Sequence, residues 1–219
     1  MKKIAVLLLT IIILTLTLSA CQPKEDDDSA EQITYSEGLQ FILNDDENDY
    51  GYVLRGLGTC TDKHVIIPPT YEGIPVIAIS MFAFANCDFV ESITMPNSIT
   101  KMGSDVFRGC SSLKKIKLSS SLLAITPSAF EGCSSLESII IPKSVIEIYG
   151  NSFKDCTSLK TVIFQDPYNW GFQKFEYNPQ LDQYELIVIP INENLSDSKV
   201  AANLLTSIYC NYTWRKIEK

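Results

Sequence analysis

The cysteines and the single histidine are the side chains of this 219-residue chain that could carry nucleophilic, redox or metal chemistry. There are seven cysteines, and four of them recur at intervals of 23 residues: Cys87, Cys110, Cys133 and Cys156. Zinc sites usually combine closely spaced cysteines and histidines. No Cys-x-x-Cys pair occurs, and His64 is the only histidine. We therefore expect no metal site and interpret His64 as a surface residue.

Catalytic groups are equally sparse in the sequence. Nucleophilic catalysis requires a serine or cysteine beside a base, with a third group that orients the base. No serine lies in a Gly-x-Ser-x-Gly turn. The acidic cluster from Asp45 to Gly51 is similar to a calcium-binding loop, but Gly56 stands where the bidentate glutamate belongs. We expect a hairpin turn there, and the sequence predicts no catalytic residue, no cofactor and no small-molecule substrate.

An internal repeat of 23 residues positions the four cysteines. Phenylalanine recurs three residues before each of them, at Phe84, Phe107, Phe130 and Phe153. Apolar residues keep the same period in the columns Val90, Leu113, Leu136, Leu159; Ile93, Ile116, Ile139, Val162; and Met95, Leu118, Ile141, Phe164. Segments 108–130 and 131–153 are identical at nine of 23 positions. This period indicates a solenoid, whose stacked coils bury a shared core.

Each coil is predicted to contain a short strand with one buried face. Ile116 and Leu118 alternate with Lys117, which is the period of two that a half-buried strand requires. Residues 127–133 are expected to form a tight helical or 3-10 turn that inserts Phe130 and closes the coil. The predicted fold class is α/β, a short strand-dominated solenoid of 23-residue coils that is capped at both ends.

The repeated columns resemble the BspA-type leucine-rich repeat of bacterial surface proteins and lipoproteins. The pattern Ala-Phe-x-Gly/Asn-Cys-x-Ser/Phe-Leu/Val-x-x-Ile-x-Ile/Leu-Pro covers about residues 50–166. Residues 65–79 resemble the usual opening repeat of that family, and Trp170, Ala201-Ala202 and residues 212–215 resemble the closing module of some such lipoproteins. The resemblance implies a leucine-rich-repeat solenoid, and relatives with this repeat are associated with adhesion to host matrix proteins and to other bacteria.

The first 21 residues are typical of an export signal. Lys2 and Lys3 precede an apolar run from Ile4 to Leu18 that is shorter than the ~20 residues a spanning helix needs. Leu18-Ser-Ala-Cys21 resembles the bacterial lipobox. That resemblance implies a diacylglycerol on Cys21, which would anchor the protein in the bacterial membrane at the extracytoplasmic face or cell surface.

The acidic charge is concentrated beside this signal. Residues 21–49 contain ten acidic side chains and one lysine, whereas residues 50–219 contain sixteen acidic and fifteen basic side chains. Residues 21–36 are therefore expected to form a disordered acidic tether. A nearly neutral body without a basic cluster argues against nucleic-acid binding.

The cysteines other than Cys21 raise the question of disulfides, which are common outside the cytoplasm. Four of them share one repeat position, where parallel side chains are poorly placed for a disulfide. We interpret that column as buried free thiols, because free cysteine behaves as a small buried hydrophobe. Cys60 and Cys210 lie near opposite ends of the domain, which disfavours a bond between them.

The outward side of the strand column is the predicted site of function. The position between the two buried residues of each strand reads Thr94, Lys117, Ile140 and Ile163, and so becomes apolar towards the C-terminal end. The candidate protein-binding surface consists of Lys117, Ile140, Ile163, Tyr168 and Trp170. The alternative is that the C-terminal module covers this surface. The neighbouring column Glu91, Lys114, Glu137, Lys160 alternates in sign and is expected to support stacking.

The predicted organisation has five parts: a lipoprotein signal peptide (1–20), the tether (21–36), an N-terminal capping hairpin (37–61), the solenoid (62–166) and a C-terminal capping module (167–219). In the last part, Ser196 is expected to cap one helix whose apolar face is Val200, Ala201, Leu204, Leu205 and Ile208. We expect a membrane-anchored adhesion-type module that binds an extracellular or envelope protein. The alternatives are a structural or assembly component of the envelope and an envelope hydrolase.

Overall fold

The computed structural model describes residues 33–180 and 183–217, of which residues 35 onward belong to one structural unit. The strands, in chain order, are β1 (Gln40–Asn44), β2 (Gly51–Gly56), β3 (His64–Ile66), β4 (Thr70–Tyr71), β5 (Ile74–Ile79), β6 (Ser92–Thr94), β7 (Lys101–Met102), β8 (Lys115–Lys117), β9 (Ala124–Ile125), β10 (Ser138–Ile141), β11 (Glu147–Ile148), β12 (Thr161–Phe164), β13 (Trp170–Asn178), β14 (Gln183–Pro190) and β15 (Thr213–Lys216). The predicted signal peptide, Cys21 and residues 22–32 of the tether lie outside the described residues.

Strands β3, β6, β8, β10 and β12, hereafter the front strands, supply one strand to each coil. β3, β6 and β8 pair in parallel and in register, and so do β10 and β12. Ile93 lies opposite both Val65 and Ile116. Equivalent repeat positions therefore stack directly, which confirms the strand-dominated solenoid that the period of 23 predicts.

Strands β5, β7, β9 and β11, hereafter the back strands, lie on the other part of each coil, with β5–β7 and β9–β11 paired in parallel. At the N-terminal end, β2 pairs in parallel with β5, and β1 pairs antiparallel with β2. At the C-terminal end, β15 pairs antiparallel with β11 and with β13, which forms a hairpin with β14. Both terminal modules therefore extend the row of back strands.

The repeated phenylalanines form the centre of the core. Phe84, Phe107, Phe130 and Phe153 are fully buried, and successive ring centroids lie 5.3 Å apart. We call these four residues the phenylalanine ladder. The apolar columns predicted from the sequence surround it, and all of their residues are buried.

The segment that inserts each ladder ring is a chain of hydrogen-bonded turns and not a helix. Ser128 and Gly132 have φ of +52° and +74°, and helices require negative φ throughout. The Glu131 N–H donates to Ser128 O (3.1 Å), closing a turn within the coil. The Phe130 N–H instead donates to Ser152 O of the next coil (2.8 Å). Along this segment, the backbone N–H groups therefore alternate between closing a turn within the coil and bonding to the next coil.

The folded body includes Ser36, which the sequence placed in the tether. The Ser36 N–H donates to Ile66 O, and Ser36 Oγ accepts from the Ile66 N–H, both at 3.0 Å. These bonds satisfy the backbone at the exposed edge of β3. Ser36 therefore belongs to the folded body, one residue before the predicted boundary at residue 37.

The C-terminal helix differs in detail from the prediction. It comprises α1 (Ser198–Asn203) and a π-helical turn (Leu204–Ile208), and Asp197 caps it in place of Ser196. The Asp197 carboxylate accepts from the N–H groups of Lys199 and Val200. Ile208 is exposed, because the π-helical turn rotates it away from the core that receives Leu204 and Leu205. In residues 33–180 and 183–217, no helix is both long enough and apolar enough to cross a membrane.

Candidate functional site

The outward side chains of the front strands, hereafter the front face, form two columns. The first column is His64, Ser92, Lys115, Ser138 and Thr161, and the second is Ile66, Thr94, Lys117, Ile140 and Ile163. Each outward residue alternates with a buried one, as a half-buried strand requires. The strand register therefore fixes the positions of these side chains on a rigid surface.

Ile140 and Ile163 lie side by side on the front face and remain accessible. They are register partners in β10 and β12, with 50% and 47% of their surfaces exposed. The C-terminal strands join the back strands, and α1 packs at the end of the solenoid beside β12. The alternative that the C-terminal module covers these two residues is therefore wrong.

Trp170, which the sequence placed on the same surface, is buried. Only 2% of its surface is exposed, because it begins β13 and packs edge-on against Phe164 with the centroids 5.3 Å apart. Its Nε1–H donates to Asp166 O (3.0 Å). Trp170 is thus a core residue of the C-terminal module, and its aromatic type alone gave no indication of which way it faces.

Tyr168 is the exposed aromatic residue of this region, with 69% of its surface accessible. Lys216 of β15 fixes the turn that carries it: its Nζ lies 2.9 Å from Asp166 Oδ2 and 5.0 Å from the centre of the Trp170 ring. The hydrogen bond from Lys216 lowers the pKa of Asp166. The turn that presents Tyr168 is therefore held by an ion pair and a cation–π contact.

A groove of about 310 Å³ opens on the front face beside Ile140. Its lining residues are Asn97, Ile116, Lys117, Leu118, Ser120, Ile140, Pro142 and Gln165. The Ser120 N–H donates to Asn97 Oδ1 (3.1 Å), and the Lys143 N–H donates to Gln165 Oε1 (3.2 Å). Lys117 and Ile140 were predictable from the repeat, but the groove was not, because its polar rim depends on hydrogen bonds between coils.

Some of the charged residues beside the front strands form ion pairs, and others do not. Lys63 and Lys114 hold Glu91 between them at 3.2 and 2.8 Å. The hydrogen bonds from Lys114 and then from Lys63 lower the pKa of Glu91 to about 2. Among the described residues, Lys115 and Lys117 form no ion pair. The predicted alternating column is thus paired around Glu91, while the two outward lysines of β8 are available to a ligand.

His64 lies on the front face with its Nδ1 2.9 Å from Ser92 Oγ, so the two side chains share a hydrogen bond. A serine nucleophile also needs a group that orients the base, and across the described chain no second hydrogen-bond partner of His64 occurs. In the same residues no group of three or more His, Cys, Asp or Glu side chains is arranged to hold a metal ion. The observed role of the pair is a hydrogen bond that links β3 to β6 on the front face.

The repeated cysteines connect successive coils through their thiols. Cys110, Cys133 and Cys156, hereafter the thiol ladder, are buried, and each Sγ donates to a phenylalanine carbonyl of the preceding coil at 3.0–3.1 Å. Burial raises the pKa of Cys110 and of Cys156 to about 12 and raises that of Cys133 as well. Cys87 is half-buried, and Cys60 and Cys210 are also free. The thiol ladder therefore has a structural role.

Comparisons with known proteins agree with this architecture. A family model described as BspA type Leucine rich repeat region matches residues 69–196 with six copies. The chain is similar to a T. pallidum Leucine Rich Repeat protein, with 32% identity and a TM-score of 0.52 over 57% of this chain and 57% of that chain. It is also similar to a leucine-rich repeat protein from Bacteroides capillosus, with 27% identity and a TM-score of 0.52 over 61% and 98% of the two chains. The matched region spans little more than half of the T. pallidum protein, and no curated protein matches this chain.

Proposed function

We propose that this chain, which belongs to the BspA-type leucine-rich-repeat family, is a lipid-anchored module that binds another protein through its front face. The observation that carries the proposal is the exposed pair Ile140 and Ile163 on rigid strands, beside a groove that Lys117 also lines. Repeat modules of this class are typically binding modules and not enzymes. The proposed binding surface consists of Lys117, Ile140, Ile163 and Tyr168.

The energetic argument starts from the area that a partner would cover. Burying an isoleucine completely is worth about 1.5–3 kcal/mol. Since Ile140 and Ile163 are each about half exposed, covering both would contribute about 1.5–3 kcal/mol in total. Their strands are already ordered, so binding loses little conformational entropy there. A pair of this kind can serve as the apolar centre of an interface.

The proposed location rests on the N-terminal sequence. Basic residues, an apolar run and Leu18-Ser-Ala-Cys21 together support export and lipidation of Cys21. Replacing Cys21 with alanine should abolish incorporation of an alkyne-labelled fatty acid and release the protein from the membrane fraction. Unchanged labelling of that variant would refute the lipid anchor and leave the binding proposal untouched.

Site-specific photo-crosslinking on intact cells tests the binding surface. A photoreactive amino acid at position 140 or 163 should give a discrete crosslinked protein band. Leu123 and Ile146 provide matched controls, because they are apolar, 50% and 56% exposed, and outside the groove lining. The proposal fails if the control positions give the same band at equal yield, or if positions 140 and 163 give none while the protein is present in the membrane.

Two further experiments separate the alternative functions. A partner that is itself an envelope assembly protein would favour the structural role over adhesion. Hydrolysis of envelope polymers by the purified full chain, abolished by Ser92→Ala, would replace the binding proposal with the hydrolase. We expect no such hydrolysis.

A further inference from the structure

We propose that the groove on the front face takes an extended peptide segment of the partner, with a carboxylate that pairs with Lys117 and an apolar side chain that packs on Ile163. This inference rests on the proposed binding function, because it names the chemistry of the segment that the same surface would receive. The acidic and apolar groups of that segment are expected to have a fixed order and spacing.

The charge around the groove selects an acidic ligand. In the front strands and the residue on either side of each, five lysines stand against two glutamates: Lys63, Lys114, Lys115, Lys117 and Lys160 against Glu91 and Glu137. Glu91 is already shared between two of those lysines. Residues 50–219 contain sixteen acidic and fifteen basic side chains, so this local excess of three positive charges is opposite in sign to the rest of the folded body. The complementary ligand is negatively charged.

The polar rim of the groove points to the same ligand through its hydrogen bonds. Asn97 and Gln165 each use the amide oxygen to accept a backbone N–H from the neighbouring coil. The NH₂ groups of the two amides are therefore the parts that can bind a ligand, and an amide NH₂ only donates. Together with the Lys117 ammonium, these groups make a rim of donors, which fits the carbonyls and carboxylates of a peptide.

The apolar part of the surface favours a peptide over a phosphate polymer. Ile116, Leu118 and Pro142 line the groove and are buried. Half-exposed Ile140 also lines it, and half-exposed Ile163 lies beside Ile140 in the next coil. A phosphate polymer would pair with the lysines but would leave these isoleucines without an apolar partner. A peptide supplies both kinds of group on one backbone.

The strand register sets the spacing between the two groups. Lys117, Ile140 and Ile163 occupy the same column in successive coils, and neighbouring strands lie about 4.8 Å apart. Two such steps separate Lys117 from Ile163, a distance of about 10 Å. Because an extended peptide in the polyproline II conformation rises about 3.1 Å per residue and has three residues per turn, an acidic and an apolar residue three positions apart would lie on the same side of the peptide at about this distance.

Fluorescein-labelled octapeptides tested on the full chain examine this inference directly. The probe Ser-Ser-Asp-Ala-Ala-Leu-Ser-Ser should bind, and its affinity should fall as sodium chloride is raised. Replacing its aspartate with lysine, or its leucine with serine, should each weaken binding about tenfold. Lys117→Glu should weaken binding of the aspartate peptide by a similar factor and strengthen binding of the lysine peptide, since the charge pair is then restored in reverse. Lys199→Glu, an exposed lysine on α1, is the matched control and should change neither affinity.

Several other results of the binding and crosslinking measurements would refute the proposed acidic segment. Equal binding of the aspartate and lysine peptides would overturn it, as would competition by polyphosphate that equals competition by the unlabelled peptide. Lys117→Met, with an unchanged circular dichroism spectrum, should reproduce the loss without a reversed charge, and an unaltered affinity would also refute it. If positions 140 and 163 crosslink a protein partner with undiminished yield in cells that carry Lys117→Glu, the acidic segment is refuted while the proposed function stands.

Discussion

Replacing Phe107 with alanine should destabilise the protein more than the same change at the end of the phenylalanine ladder. The Phe107 ring is fully buried and lies 5.3 Å from both the Phe84 and the Phe130 rings. Removing a buried phenylalanine side chain typically costs about 3–5 kcal/mol. Each aromatic pair contributes about 0.5–1.5 kcal/mol beyond the buried area. Since Phe153 has one ladder neighbour, we expect about 4 kcal/mol for Phe107→Ala and about 3 kcal/mol for Phe153→Ala.

Urea unfolding measures the difference, provided that the solenoid unfolds in a single transition. The tryptophans, Trp170 and Trp214, are both buried in the C-terminal module, so their fluorescence reports that end, whereas circular dichroism reports all of the strands. Coincident transitions justify comparing free energies of unfolding. Phe89→Ala, at a partly exposed position, is the control and should cost less than about 1 kcal/mol. A cost for Phe107→Ala no larger than this control would refute the ladder as the centre of the core, and equal costs at Phe107 and Phe153 would refute the contribution of ring stacking.

Three other predictions concern the thiols, the acid-sensitive ion pair and the turns. In the native protein at pH 8, the thiol ladder should resist alkylation until urea unfolds the chain, whereas half-buried Cys87 should react in the folded protein, as mass spectrometry of digests would show. The pKa of Glu91 is lowered in the folded state, so its stabilising contribution is complete above its ordinary pKa and disappears as the pH falls from about 4.5 through about 2. Lys114→Met should therefore reduce the loss of thermal midpoint over that range, and an unchanged pH dependence would contradict the assignment. Gly109→Ala should lower the free energy of unfolding by about 1–2 kcal/mol, because alanine is strained at a φ of +72°. Gly132→Ala should cost less in urea unfolding, because only at Gly109 would the new Cβ lie 2.4 Å from the Asn86 side chain.

The solenoid could be predicted from the sequence because each coil independently repeats the same pattern of apolar and polar positions. A column such as Ile99, Leu122 and Val145 is apolar in each coil, and all three residues are buried. The agreement of several coils removes the ambiguity that a single short apolar run would have. The period also identified Ile140 and Ile163 as outward residues, since they occupy the column that holds Lys117 in the preceding coil.

The C-terminal module was harder to predict because it does not repeat. The sequence analysis did not predict strand β13. The prediction that Trp170 lies on the surface was wrong, because a single aromatic run does not reveal which side of a strand is covered. The helix begins one residue later than predicted because Asp197, and not Ser196, reaches the free N–H groups of the first turn. Such choices depend on tertiary packing more than on local preference.

The attachment of the C-terminal cap to the back strands leaves the proposed binding surface accessible at that end of the front face. β15 continues the back strands beside β11, and the same strand supplies Lys216, which fixes the turn that carries Tyr168. α1 packs beside β12 without covering Ile163. The cap therefore closes the open end of the core and, through a single lysine, also positions the aromatic edge of the surface. A cap attached to the front strands would have covered the two isoleucines, so the attachment to the back strands is what leaves them accessible.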